Sequence, residues 1–348
     1  MMWFACGILF VATAVSALQE QNIQSYVEME SMIKRENFKN VGVPSPSTIH
    51  EVTFAIKQRN RQQLIDILSD RSNPDSPNYQ QWMPETELYK LTRNDEAVSA
   101  LKRWCDSNGL EMKWNNRHNE YFKVAASIKK WESLFRTRFY TWFASDYVSY
   151  SGGEVESKFV NRAEVYHLPQ DLASHIHAVF GVSQSQPSLH KFGVKQKELT
   201  SSSEWETTAS KDVTVSFLTN LYNITDRNSS SYCSQSVFQT ANEIYSPSDL
   251  ALFQKTYRLL RQSPINIGNT VSNSCLTKAG YDICTEGNLD TQYIMGVAQK
   301  ASTYYWYVSD TYSDPFLEYL VEIADAPGNT RPLVNSISWG GQEQVTYC

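Results

Sequence analysis

At 348 residues the chain is long enough for two or three domains of ordinary size. Its composition is that of a globular protein rich in aromatic residues, with 20 Tyr, 15 Phe and 9 Trp. A net charge of -6 without a basic tail argues against a nucleic-acid surface and excludes little else.

Taken in chain order, Trp3 to Ala14 is nearly all apolar and is followed by the small residues Val15-Ser16-Ala17. Such a run is shorter than the roughly 20 residues that span a bilayer, so residues 1–17 read as a cleaved secretory signal, with a signal anchor as the alternative. No membrane association is expected after cleavage. The sequons at Asn223 and Asn228 fit a secretory route. Once Cys6 is set aside with the signal, five cysteines remain, an odd number that leaves one thiol over. Cys275 and Cys284 can close a short loop, worth roughly 2–3 kcal/mol.

From about Ile49 to Val182 strand-like and helix-like segments alternate. Val52, Phe54 and Ile56 have the period of a half-buried strand, and Leu64 to Leu68 that of a short helix. Asn94 is a good N-cap for a helix carrying Ala97, Val98, Leu101, Trp104 and Cys105, which Asn108-Gly109 should end. Strand-like Tyr121 to Ala125, a helix with Ile128, Trp131 and Phe135, and strands at Phe139–Phe143 and Ile176–Val182 follow. This order suggests a split βαβ, ferredoxin-like α/β sandwich. Residues 183–212, rich in Ser, Gln, Lys and Glu, read as a linker open to proteolysis. A second globular pattern opens at Val213, with helical spacing at Phe217, Leu218 and Leu221 and again at Leu250, Phe253, Tyr257 and Leu260.

All six histidines precede this second region, so it cannot hold a Ser-His-Asp triad or a histidine zinc site by itself. His175 and His177 share one face of a strand but have no further ligands nearby, and no metal site is expected. What the second region offers is carboxylates. Glu286 and Asp290 stand one turn apart on one face of an expected helix running through Tyr293, Met295 and Val297. Partly buried, two such carboxyls push at least one proton affinity upward, which suits a general base at acid pH. A glycosidase pair is the poorer alternative, since two carboxyls flanking a sugar bond usually come from different elements.

The stretch Cys284-Thr-Glu286-Gly-Asn-Leu289-Asp290-Thr-Gln292-Tyr293 resembles the Glu-Ala-x-Leu-Asp-x-Gln-Tyr helix of the sedolisins, the serine-carboxyl peptidases that include tripeptidyl peptidases. Val213–Ile224 resembles the opening of their mature domain, and Leu333-Val-Asn-Ser-Ile337-Ser338-Trp339-Gly340-Gly341 a core strand leading to a substrate edge. Ser76–Trp82 and Leu168-Pro169 followed by His175–Val182 resemble their activation prodomain. The resemblance implies a prodomain over 18–182 and, over 213–348, the N-terminal part of a subtilisin-like doubly wound peptidase domain.

In that frame Glu286 is the general base toward a Ser nucleophile and Asp290 orients it. Ser338, Trp339, Gly340 and Gly341 would bind the substrate strand. The implied nucleophile, its Gly-Thr-Ser motif, the oxyanion Asp and a calcium site all fall after Cys348, so the chain as written is expected to be incomplete and inactive. The implied whole is a lysosomal or extracellular proenzyme that cleaves peptides at acid pH and is inhibited by its own prodomain; removal of N-terminal tripeptides is the favoured action, with endopeptidase cleavage as the alternative. The rival is a non-catalytic secreted inhibitor or folding partner of a complete homologue.

Overall fold

The computed structural model describes residues 25–36, 38–151, 154–185, 213–228, 232–268, 271–275, 283–309, 314–328 and 330–339, with side chains given outside 145–157. The signal-like segment 1–17, residues 186–212 of the expected linker, and Gly340-Gly341 lie outside the described residues.

The first half begins with β1 (Tyr26–Ser31), β2 (Phe38–Gly42) and β3 (Ile49–Ile56). Helices α1 (Arg61–Ser72), α2 (Glu85–Thr92) and α3 (Asp95–Ser107) follow, then β4 (Glu111–Asn115), β5 (Tyr121–Ser127) and α4 (Ile128–Leu134). β6 (Phe139–Ser151), β7 (Glu154–Ala163), β8 (Val165–Pro169), α5 (Gln170–Ala173) and β9 (Ile176–Phe180) complete it. An antiparallel sheet runs in the order β4-β5-β3-β9, flanked by the pair β1-β8 and a three-stranded sheet β2-β6-β7.

Period two decides what each face of the main sheet does. Val52, Phe54 and Ile56 of β3 join Phe122 and Val124 of β5 in a core closed by Ala97, Leu101 and Cys105 of α3 and Trp131 of α4. The expected α3 forms as its caps dictate: the Asn94 side chain accepts the Ala97 N–H, and Gly109 takes a left-handed φ of 60° just beyond the last turn. Lys123, set between Phe122 and Val124 and paired with Thr53, belongs to the opposite face.

The second half runs α6 (Val215–Leu221), β10 (Ser234–Gln239), α7 (Pro247–Thr256), β11 (Ile265–Ile267), α8 (Thr285–Val297), β12 (Ser302–Tyr307), α9 (Pro315–Asp325) and β13 (Val334–Ser336). Among the described residues it has four strands, all parallel, in the order β11-β12-β10-β13. Val237, Tyr305 and Tyr307 pack with Leu250 of α7 and Met295 of α8 on one face. Phe238, Tyr304 and Trp306 pack with Tyr319 of α9 on the other. The chain is thus a mixed α/β protein with several sheets, and its parallel one is covered on both faces, as parallel sheets are.

Three details differ from the sequence reading. α7 stops at Thr256 and leaves Leu260 outside the helix, because Tyr257 takes the C-cap position and Arg258 a left-handed φ of 54°. β9 ends at Phe180 rather than Val182, where Gly181 turns with φ of 84°. Of the segment Leu333–Trp339, only Val334–Ser336 pairs as a strand.

Candidate functional site

β10 and β13 are adjacent and parallel, in a register that sets Val237 opposite Ser336. Two residues further on, both chains leave the sheet at its carboxyl edge, Gln239 as the last residue of β10 and Ser338 just past β13. Gln239 shares the face of Val237, on which α8 packs. Open parallel sheets bind ligands in such crevices, outside the carboxyl ends of strands where the strand order reverses.

Asp290 of α8 reaches into this edge. Ser338 Oγ donates to Asp290 Oδ1 at 2.8 Å, and Gln239 Nε2 donates to Asp290 Oδ2 at 2.9 Å. Trp339 Nε1–H in turn donates to Gln239 Oε1 at 3.0 Å, which fixes which end of the Gln239 amide faces the carboxylate. Burial pushes the Asp290 carboxyl above its ordinary range, against the pull of the Ser338 and Gln239 hydrogen bonds. The result is a half-buried acid whose protonated form is favoured more than in water.

Glu286 lies one turn toward the N-terminus of α8 and is buried, with 6% of its surface exposed. No side chain of α8's own N-cap, Cys284, closes the helix start. Glu243, from the turn after β10 and wholly buried, does so: its Oε1 accepts the N–H of Glu286 at 2.9 Å and of Gly287 at 3.2 Å. A carboxylate there meets unpaired amide donors and the positive end of the helix dipole, which is what makes its burial tolerable.

The same turn is fastened along its length. Ile244 N–H donates to Ile283 O, Ser246 N–H to Asn288 Oδ1, and Tyr305 OH to the Glu243 carbonyl. Gly287 is required by this closeness, because a Cβ there would lie 2.2 Å from the Ile244 carbonyl oxygen. Cys275 and Cys284 are joined as a disulfide immediately before α8.

The sequence candidates therefore fall into groups. Glu286, Asp290 and Ser338 converge on α8 and the carboxyl edge of the sheet, and Trp339 joins them through Gln239. Ser338, expected at a substrate edge, spends its hydroxyl on Asp290. Asn223 and Asn228 are exposed. Gln239 and Glu243 escaped the sequence reading. The one signal for Gln239 was a polar residue closing the apolar Val237-Phe238 pair, and Glu243 carried none. Among the described residues no group of three His, Cys, Asp or Glu side chains could hold a metal, and no helix is long and apolar enough to cross a membrane. A cavity of about 800 Å³ lies away from Asp290, where β4 and β5 face α9.

Comparison with known proteins gives this geometry its context. Residues 36–185 match the family model described as the pro-kumamolisin activation domain. The chain is 26% identical over 340 residues to tripeptidyl-peptidase SED2 of Arthroderma otae, covering 89% of this chain and 54% of that relative. It is 23% identical over 310 residues to tripeptidyl-peptidase 1 of Homo sapiens, covering 87% of this chain and 52% of the relative. The chain spans about half the length of the curated relatives it matches. It carries a pro-kumamolisin activation domain over residues 36–185 and is a homologue of the tripeptidyl-peptidases of the sedolisin family.

Proposed function

We propose that the protein carrying this chain is a serine-carboxyl peptidase proenzyme, acting at acid pH on peptides and releasing N-terminal tripeptides. The observation that carries the reading is the placement of Glu286 and Asp290 on α8 at the carboxyl edge of the parallel sheet, with Asp290 held by Ser338 and Gln239. In this reading Glu286 takes the proton of a serine nucleophile, and Asp290 orients it from one turn behind. A carboxylate works as base where a histidine, with its ordinary value of about 6.5, would be protonated and idle. Ser338 and Trp339 flank the substrate strand, and Gly340-Gly341 continue that edge in sequence.

The strand orders support the finer fold assignment. Numbered within its own half, the parallel sheet runs 2-3-1-4 with helices on both faces, as a subtilisin-like doubly wound sheet begins. The antiparallel sheet β4-β5-β3-β9 likewise suits a ferredoxin-like sandwich. We assign residues 18–182 to the prodomain, 183–212 to a processed linker and residues from 213 to the peptidase domain. The disulfide and the exposed sequon asparagines suit an oxidising, secretory compartment, lysosomal or extracellular. Calcium enters only through the resemblance, and no residue of this chain is assigned to it.

Glu286→Gln in the full-length protein tests the reading. Loss of a general base should lower kcat by at least about a hundredfold on a tripeptide-releasing substrate at acid pH, with KM little changed. Activity retained in this variant sinks the catalytic assignment. A wild-type protein without activity that nevertheless inhibits a complete relative would favour the inhibitor reading instead.

A further inference from the structure

Two ion pairs of opposite polarity join the activation domain to the second half. Lys123 Nζ of β5 reaches both carboxylate oxygens of Glu318 on α9, at 2.9 and 2.7 Å. The two side chains are 16% and 14% exposed, so this pair is largely withdrawn from water. The second pair runs the other way: Glu85 of α2 receives Arg331 Nη2 at 3.3 Å. In the first the activation domain supplies the cation, in the second the anion. A third contact, Arg117 N–H to Asp325 Oδ1 at 2.8 Å, lies beside them.

Each pair is held from both sides. Lys123 lies 5.2 Å over the Trp114 ring, and next to Glu318 on α9, Glu322 accepts the Trp306 Nε1–H at 2.7 Å. Glu85 is also met by His118 Nε2 at 2.6 Å and Arg117 Nη1 at 3.4 Å. Arg331 donates to the carbonyls of Ile323, Ala324 and Ala326, closing the C-terminal end of α9. Between the halves here lies the cavity of about 800 Å³, lined by Trp114, Trp306 and Val321 among others. A continuous apolar seam therefore does not set the register at this point, and apolar burial is in any case non-directional.

We propose that the reciprocal pairs are a docking key. Through them the activation domain, once severed from the peptidase domain between residues 186 and 212, holds only a parallel sheet that presents an acid at position 318 and a guanidinium at position 331. A sheet with either sign exchanged sets like charges against each other away from full solvent screening, which penalises a wrong partner. The key also grips the segment that leads to the site, since Arg331 stands three positions before β13 begins and Ser338 lies just beyond that strand. This inference rests on the proenzyme reading above.

The test uses the full-length protein with a specific protease site inserted within 186–212. After cleavage, the affinity of the two pieces is measured by titration and their co-elution by gel filtration. Lys123→Glu and Glu318→Lys should each weaken retention by about tenfold or more, and the double variant should recover most of that loss. Singles without effect, or a double variant no better than either single, would overturn the key. Should a reversal prevent folding, as read by thermal melting before cleavage, Glu85→Gln removes the second pair without reversing a charge. It should still weaken retention several-fold, and retention unchanged in that variant also counts against the key. Peptidase activity is followed in the same samples. Retention that obeys the swap while activity ignores the activation domain defeats the proenzyme reading and spares the key. Activity that responds while the swap fails to restore retention does the reverse.

Discussion

The hydroxyl of Ser338 and the carboxylate of Asp290 are one hydrogen bond apart, 2.8 Å, although 48 positions separate them in the chain. The bond ties the end of the β10–β13 crevice to the middle of α8, and it opposes the effect of burial on the Asp290 carboxyl. Removing it should therefore push the Asp290 proton affinity further up. In Ser338→Ala, the carboxyl resonance of Asp290, assigned by its loss in Asp290→Asn, should titrate at higher pH than in the wild type. A midpoint that stays put would show that Ser338 contributes nothing to the charge on Asp290. The sign for stability follows from the same direction. A carboxyl whose folded value lies above its unfolded one favours the fold most below the unfolded value, and that contribution is lost as pH rises through the folded value.

His50 supplies a pH dependence of the other kind within the activation domain. Burial, and then the nearby Arg162 charge, lower it from 6.5 to about 4, against the hydrogen bond its Nε2 makes to the Gly181 carbonyl at 2.8 Å. The folded domain thus keeps His50 neutral where the unfolded chain would protonate it. Stability from this source is intact above pH 6.5 and falls as pH drops toward about 4. At roughly 1.4 kcal/mol per pH unit the loss approaches about 3 kcal/mol. Urea unfolding at pH 7, 5.5 and 4 should show it, and His50→Gln should flatten that part of the profile. An unchanged slope in His50→Gln would mean that other groups carry the acid sensitivity.

Much of this was legible in the sequence wherever one segment decides its own structure. β3 declared itself because Val52, Phe54 and Ile56 alternate toward one core, and α3 because Asn94 and Gly109 punctuate it. α8 was legible through its pattern, and with it Glu286 and Asp290. β10 and β12 were not. Residues Gln235–Gln239 and Thr303–Tyr307 are buried on both faces, so no alternation marks them. Gln239 and Glu243 were hidden for a different reason. Their meaning depends on which helix the turn after β10 touches, and that contact is a product of the fold. The Lys123–Glu318 pair, 195 positions apart, is of the same kind.

Gly287 marks a place where this chain departs from the Ala of the sedolisin motif it resembles. The departure has a steric cause in the Ile244 carbonyl, which a Cβ would meet at 2.2 Å. Gly287→Ala should gain helix propensity yet lose more to the clash, for a net destabilisation of about 1–3 kcal/mol. Denaturant midpoints read the net change, with Gly328→Ala, outside any helix and with nothing within 4 Å, as a glycine-to-alanine control that meets no clash. A neutral or stabilising Gly287→Ala would mean that the turn at 243–244 can move away from α8.

Glu243 carries the most consequential expectation, because it touches the backbone of Glu286 without sharing its motif. Its carboxylate takes the N–H groups of Glu286 and Gly287, which a first-turn side chain of α8 could otherwise compete for. Glu243→Gln keeps an acceptor oxygen and removes the charge, whereas Glu243→Ala leaves two buried amides without that acceptor. The alanine variant should cost about 1–3 kcal/mol in stability. The glutamine variant should cost less. In the full-length peptidase proposed above, Glu243→Ala should lower kcat several-fold by loosening the turn that carries Glu286, and Glu243→Gln should stay close to the wild type. A merely structural cap would reduce stability in Glu243→Ala and leave kcat in place, so kcat measured beside the denaturant midpoint decides between the two roles.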